Sequence, residues 1–152
     1  MNNSVFDSER SETLNAILGT LIPGNETMPA ANQLNLEPLI NDLTIRTTET
    51  KKLILDGLQE INISSIQQHG MSFHELPEQG RIDILNETEN NNNTFFSTLL
   101  RFAYDGYYSN TEVFQALGYT IPNPLDYQLT QPNTDLLEPQ RKRAPFWINP
   151  EI

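Results

Sequence analysis

The stretch Thr94–Tyr119, TFFSTLLRFAYDGYYSNTEVFQALGY, constrains the fold more than any other part of this chain. One set of side chains recurs at the i, i+3, i+4, i+7 and i+11 spacing of a single helix face: Phe96, Leu99, Leu100, Ala103 and Tyr107. Two further apolar lines run along the same helix: Phe95 with Phe102, and Tyr104 with Tyr108. Because a helix that is apolar nearly all round is normally buried, this pattern predicts a central helix within the domain.

Cap and break signals divide this stretch into two helices. Asn92, Asn93 or Thr94 offers an N-cap oxygen for the first helix, and Ser109-Asn110 interrupts it. A short second helix is then predicted from about Thr111, with Gly118 as its C-terminal glycine.

Helical spacing of apolar residues also recurs in four segments upstream, which predicts helices that pack around the aromatic one. These segments run from Ser8 or Ser11 to Leu21, from about Leu36 to Leu43, from Thr47 to His69 with Thr48 as its cap, and from Pro77 to about Glu89. Between them, Ser72-x-x-Glu75 has the form of a capping box, and the four asparagines at 90–93 predict a solvated loop. No strand-like alternation is long enough for a sheet. The sequence therefore predicts an all-α protein with a single compact domain of five to six helices.

Gly57 lies inside the longest predicted helix, where a glycine costs about 1 kcal/mol relative to alanine. It either marks a close helix crossing or is incidental, and the sequence alone favours neither interpretation.

The character of the chain changes after Tyr119. Residues 120–152 contain six prolines and little periodicity. We therefore predict a helical domain at 1–119 and an extended Pro-rich tail at 120–152 that packs on the domain or on a partner. Phe146 and Trp147 are expected to dock their rings, on the helical body by preference and otherwise on a partner.

Composition excludes several classes of function. The chain has no cysteine, which excludes disulfides, iron–sulfur clusters and thiolate metal sites. Its net charge of −11 disfavours binding to nucleic acid, and no apolar run approaches the roughly 18 residues of a membrane span. The N-terminus carries no export signal, so we expect a cytoplasmic protein, or one that reaches the periplasm or a membrane only through a partner.

Motifs for chemistry are lacking as well. His69 and His74 are five residues apart, which does not suit a helical metal pair, and no Glu-x-x-His motif is present. No phosphate-binding loop or nucleophile elbow occurs either. We therefore predict no catalytic, cofactor-binding or metal-binding residue in this chain.

Arg101 and Asp105 are four residues apart in the aromatic helix and are expected to form an internal ion pair tied to a tyrosine hydroxyl. In the alternative interpretation, Arg101 contacts an anion or a partner. Tyr104, Tyr107 and Tyr108 suit the edge of a core first and an interface second.

The aromatic stretch also carries a family resemblance. The pattern FF-x-x-LLR-x-AYDGYYSN, followed by a short helix that ends in LGY, resembles the C-terminal half of the gluconate 2-dehydrogenase subunit 3 family. Weaker agreement extends back through Phe73, Leu76 and Leu85 to Leu14–Pro23. Members of that family are small helical proteins that accompany a large flavin-dependent dehydrogenase of the glucose–methanol–choline type.

The resemblance implies a non-catalytic small accessory subunit that binds and stabilises an FAD-dependent sugar or alcohol dehydrogenase. FAD is then expected in the large partner subunit, and a cytochrome subunit or another acceptor takes the electrons. In some relatives the small subunit also escorts the large one during export. The residues expected to contact the partner are Phe95, Phe96, Arg101, Tyr104, Tyr107, Tyr108, Phe146 and Trp147.

Two other functions remain open at this stage. One is a free-standing helical protein with its own ligand-binding or enzymatic pocket at the Tyr104, Tyr107 and Tyr108 cluster, where carboxylates such as Asp105 would act. The other is a helical structural protein that associates with itself.

Overall fold

A computed structural model of the chain describes residues 4–119 and 137–143. The chain divides into one unit at Met1–Thr120 and a second at Ile121–Ile152. Seven α-helices and no strand occur in the described residues: α1 Ser8–Leu21, α2 Glu37–Thr44, α3 Thr48–His69, α4 Glu78–Asn91, α5 Asn93–Tyr108, α6 Thr111–Ala116 and α7 Glu138–Arg141. The first unit holds α1 to α6, which confirms the predicted all-α fold of five to six helices.

Side chains that precede the helices fix where α1 and α3 begin. The Asp7 carboxylate accepts a hydrogen bond from the Arg10 N–H (2.9 Å), so the cap of α1 is Asp7 and not Ser8 or Ser11. The carboxylate also lies at the positive end of the helix dipole, which favours it over a hydroxyl. Thr47 caps α3 through the Thr50 N–H (3.0 Å), one residue before the predicted Thr48.

Glycines end two helices in the left-handed conformation. Gly70 terminates α3 at φ 74°, as predicted. After α6, Gly118 has φ 76°. There the Tyr119 N–H donates to the Phe114 carbonyl and the Gly118 N–H to the Gln115 carbonyl, both at 3.0 Å. This is the Schellman pattern, and it confirms Gly118 as the C-terminal glycine.

The predicted capping box also forms, although it precedes a short turn. The Ser72 N–H donates to the Glu75 carboxylate at 3.0 Å. The residues that follow Ser72 make one 3-10 turn, Phe73–Glu75, and α4 starts three residues later with Pro77 as its N-cap.

The predicted solvated loop at residues 90–93 is wrong. α4 continues to Asn91 and α5 starts at Asn93, so Asn92 alone (φ −137°, ψ 59°) joins the two helices. The Asn92 side chain accepts from the Phe95 N–H (3.3 Å) and donates to the Glu60 carboxylate of α3 (3.0 Å). Because α4 packs against both α3 and α5, tertiary contacts outweigh the weak helix propensity of asparagine.

One apolar core joins α1 to α6. Its fully buried side chains come from all six helices and from the Phe73–Glu75 turn. They include Leu14, Ile17, Ile40, Ile54, Leu58, Ile61, Phe73, Ile84, Phe95, Leu99 and Val113. Burial of each large side chain contributes about 1.5–3 kcal/mol to folding. The helical spacing predicted for α1 and α3 is confirmed by this core.

The close helix crossing at Gly57 is the interpretation that the structure supports. A Cβ added at this position would overlap the Phe95 ring of α5. The glycine therefore admits the ring, and α3 and α5 approach each other more closely than any larger residue would allow.

α5 is not buried on all sides, so that prediction is wrong. Its buried residues are Phe95, Leu99, Phe102, Ala103, Gly106 and Tyr107, and Phe96 and Leu100 are half-buried. Ser97, Arg101, Tyr104 and Tyr108 form an opposite face that is exposed or, for the two tyrosines, close to half exposed. The helix therefore packs against α2, α3 and α4 on one side only.

Only a short part of the second unit is described. It contains α7, where Lys142 and Glu138 form an ion pair (2.8 Å) four residues apart. Phe146 and Trp147, and most of the predicted extended tail, lie outside the described residues.

Candidate functional site

The predicted contact residues of α5 lie on two different faces of this helix. Phe95 is fully buried and Tyr107 is nearly so, so both belong to the core and offer no surface to a partner. Phe96 is half-buried beside them. Arg101, Tyr104 and Tyr108 lie on the other side of the helix, and we call these three residues the outer aromatic face.

Packing beneath this face orients its rings. Tyr104 and Tyr108 are 43% and 53% exposed, with ring centroids 6.0 Å apart and planes tilted by 36°. Tyr108 also meets the buried Tyr107 edge-on, at a centroid distance of 5.3 Å and 90° between planes. The Arg101 guanidinium lies 5.5 Å from the centroid of the Phe102 ring, in the range of a cation–π contact. Buried aromatic neighbours thus hold two of the three exposed side chains in place.

The predicted internal pair between Arg101 and Asp105 is wrong. Both residues are exposed, and none of the ion pairs among residues 4–119 and 137–143 joins them. Charges on a wet helix face gain little from pairing, since water already solvates them. The error follows from treating α5 as buried all round.

Tyr107 has a structural role, because its side chain connects two parts of the fold. Its hydroxyl donates to the Pro29 carbonyl at 2.8 Å, which connects α5 to the loop between α1 and α2. Burial raises the pKa of Tyr107 above its ordinary value of 10.0, and the neighbouring Tyr108 raises it further. Tyr107 is therefore held as the neutral hydrogen-bond donor.

A second feature is a groove between α1 and α3, which the sequence analysis did not identify. We call it the α1–α3 groove; its volume is about 220 Å³, and its lining is Glu9, Arg10, Thr13, Leu58, Gln59, Asn62, Ile63 and Ile66. Two polar bridges span it: Arg10 Nη2 donates to Gln59 Oε1 (3.0 Å), and Asn62 Nδ2 donates to the Glu9 carboxylate. The only sequence signal that could have suggested this groove is that Glu9, Arg10 and Thr13 lie within about one turn of α1.

Asn62 is a buried polar residue in the apolar stripe of α3. Besides its bond to Glu9, its Oδ1 accepts from the Phe73 N–H at 3.0 Å. One amide thus joins α3 to α1 and to the turn before α4, because a buried amide requires partners for both of its ends.

The histidines remain apart. His69 lies in the last turn of α3, and His74 Nε2 is 3.4 Å from a Glu12 carboxylate oxygen. In the part of the chain that the structure describes, no group of three or more His, Cys, Asp and Glu residues could hold a metal ion.

No helix in the same ranges has both the length and the apolar character of a membrane span.

Fold and surface together define a small all-helical protein that presents an aromatic helix face to its surroundings. The sequence model described as gluconate 2-dehydrogenase subunit 3 matches residues 8–123, which is 116 of the 152 residues. The chain belongs to the gluconate 2-dehydrogenase subunit 3 family, and the resemblance noted in the aromatic stretch is confirmed. Comparison with curated proteins and with solved structures gives no match.

Membership in this family indicates the kind of complex to which the chain belongs. The family is described as a subunit of gluconate 2-dehydrogenase, which implies a subunit of a multi-subunit dehydrogenase complex.

Proposed function

We propose that this chain is a non-catalytic accessory subunit that binds and stabilises the large, FAD-dependent subunit of a sugar or alcohol dehydrogenase. Its membership in the gluconate 2-dehydrogenase subunit 3 family is the observation that carries the proposal. In this assignment the large subunit holds FAD and oxidises the substrate, and a cytochrome subunit or another acceptor receives the electrons. The small subunit supplies binding surface.

The outer aromatic face is the surface we assign to that contact. Tyrosine and arginine are enriched among the residues that dominate binding energies, because they bury a large area and keep a polar group. Tyr104 and Tyr108 lie one helical turn apart, and each exposes about half of its surface. Buried aromatic neighbours partly fix Tyr108 and Arg101, which also lowers the entropy that is lost on binding.

Binding of this kind would stabilise the large subunit through mass action. A partner that binds only the folded state contributes about 2.7 kcal/mol at a concentration of 100 times its Kd. The expected sign is a higher melting temperature of the flavoprotein when the small subunit is present.

Co-expression of the full chain with the FAD-dependent large subunit from the same source tests the proposal. We expect the two proteins to co-purify and the melting temperature of the flavoprotein to rise. The double variant Tyr104→Ser/Tyr108→Ser should lose about tenfold or more in affinity, since truncation of a hot-spot residue, a class in which tyrosine is enriched, costs about 2 kcal/mol or more.

Met71→Ser is the matched control, because Met71 is 41% exposed and follows α3 rather than lying on α5. It should bind as the unchanged chain does. Failure of the unchanged chain to co-purify, with no change in the melting of the flavoprotein, would refute the proposed function. Equal losses from both variants would refute only the assignment of the surface.

An enzymatic pocket at the three tyrosines has less support. The Tyr107 hydroxyl is engaged with Pro29, whereas Tyr104 and Tyr108 lie on the outer face of α5. The accessory-subunit proposal expects the purified chain to be colourless without its partner. An absorption spectrum with flavin or haem bands from the chain alone would contradict it.

A further inference from the structure

Arg101 and Asp105 are opposite charges that lie one helical turn apart on the exposed side of α5. This spacing permits an ion pair within a helix, yet no ion pair within residues 4–119 and 137–143 includes either residue. The order of the two residues contributes to this, because a pair in which the acid precedes the base is the more favourable one. Both side chains can therefore contact a charged group of another molecule.

The surroundings of these charges are those of a protein-binding surface. Residues four apart lie on the same side of a helix, so Arg101 and Asp105 both flank the tyrosines along one edge of α5. Tyr104 and Tyr108 present their half-exposed rings beside them. Exposed aromatic rings next to an arginine are typical of protein–protein contacts, in which tyrosine and arginine are enriched.

A surface that carries one positive and one negative charge can be complementary to itself. In a dimer with two-fold symmetry, every contact between two different residues occurs twice. If two α5 helices lie antiparallel with the symmetry axis at the level of Ala103, Arg101 of each copy meets Asp105 of the other, because both are two residues from Ala103. A parallel pair would place the two charged edges on opposite sides, where the charges do not meet. Charge complementarity therefore selects an antiparallel second copy.

We propose that the outer aromatic face binds a second copy of this chain, through antiparallel α5 helices whose Arg101 and Asp105 side chains pair reciprocally. Tyr104 lies nearest the symmetry axis, and its ring packs against Tyr104 of the other copy. The face is small compared with the roughly 800 Å² per partner of a stable interface, so the dimer is weak, with a Kd of about 0.1–1 mM. The large subunit, which we assign to the same face, displaces the second copy.

Sedimentation equilibrium of the full chain between about 10 µM and about 1 mM tests the dimer. The mass should rise with concentration from the 17.3 kDa of one chain towards twice that value. Arg101→Glu and Asp105→Arg should each weaken the dimer about fivefold or more, because each variant places two pairs of like charges across the axis. An equimolar mixture of the two variants should recover the affinity, since every pair across the axis is then opposite in sign. An effect within one chain cannot produce this recovery.

Lys51→Glu and Glu89→Arg are the matched controls, because they change the net charge by the same amounts at exposed positions of α3 and α4. Neither should weaken the dimer by more than about twofold, since salt screens distant surface charges. The sign of the Asp105→Arg effect is informative as well. The net charge of the chain is −11, so a general reduction of repulsion by this variant would strengthen the dimer rather than weaken it.

Disulfide trapping tests the orientation of the helices, because the chain has no cysteine of its own. Tyr104→Cys lies near the axis and should form a covalent dimer on mild oxidation. Ser97→Cys is also on the exposed side of α5, but antiparallel packing separates its two copies by about 18 Å along the helices. A disulfide requires Cα atoms within about 7 Å, so this variant should stay monomeric.

A mass of 17.3 kDa at every concentration, or no recovery in the mixture of variants, would overturn the proposal. Equal trapping of Ser97→Cys and Tyr104→Cys would also overturn it, since the helices would then not be antiparallel. These experiments use the chain alone and do not rest on the accessory-subunit function. Their failure leaves that function intact, and failure of the chain to co-purify with a flavoprotein leaves the dimer intact.

Discussion

Gly57 and Gly80 are both buried glycines within helices, yet the space beside each is different. A side chain at Gly57 would overlap the Phe95 ring, whereas at Gly80 it would meet Leu76 atoms at 3.7 Å, an ordinary contact. The same substitution should therefore have opposite effects at these two positions.

For Gly57→Ala we expect a loss of stability of up to about 2 kcal/mol, because overpacking costs about 1–3 kcal/mol and the gain in helix propensity is only about 1 kcal/mol. For Gly80→Ala we expect a gain of about 0.5–1 kcal/mol. Urea unfolding measures both. A stabilised Gly57→Ala would mean that α3 and α5 are not held as closely as described.

Tyr107 makes the stability of the fold depend on pH in the alkaline range. Its pKa is raised in the folded state above 10.0 by burial and by Tyr108, so the folded protein holds this proton more tightly than the unfolded chain. The resulting stabilisation is complete below pH 10 and is lost as the pH rises through the higher folded-state pKa.

Tyr107→Phe should cost about 1 kcal/mol near neutral pH through the lost bond to Pro29. It should also show a smaller fall in stability than the unchanged chain between about pH 9 and about pH 11. Urea midpoints across that range provide the measurement. Parallel pH curves for the two proteins would contradict the assignment.

Among the elements, the joint between α4 and α5 shows how one side chain can replace a loop. Asn92 caps α5 through the Phe95 N–H and bonds Glu60 of α3, while the nearby Asn90 is exposed and bonds only the Asn86 carbonyl of its own helix. The two asparagines are thus a matched pair for testing the joint.

Asn92→Ala should destabilise the fold by about 0.5–2 kcal/mol, which is the usual loss for an N-cap, and Asn90→Ala should change it by less than about 0.5 kcal/mol. Thermal unfolding followed by circular dichroism distinguishes the two. Equal effects would show that the cap contributes nothing beyond local helix propensity.

α5 also shows where sequence reasoning reached its limit. Spacing placed this helix correctly, because Phe96, Leu99, Leu100, Ala103 and Tyr107 repeat at helical intervals. It did not separate the buried face from the exposed one, since tyrosine is common on both and only the packing of α2, α3 and α4 decides between them. The pairing assigned to Arg101 and Asp105 failed for the same reason.

For the whole molecule, the all-α class and the helix order of the first unit could be predicted, because they follow from local periodicity, caps and breakers. The α1–α3 groove could not. It depends on Glu9 meeting Asn62 and on Arg10 meeting Gln59, pairs that are about fifty residues apart and leave no local signal. The predicted roles of Phe146 and Trp147 stay predictions, since both lie outside the described residues.

One side of α5 is exposed and the other packs in the core. The residues that determine which partner binds can therefore change without a change in the packing that stabilises the fold. Ser97, Arg101, Tyr104 and Tyr108 can be randomised together while the opposite side keeps its register against Gly57. A library at these four positions would therefore select new associations on an unaltered scaffold.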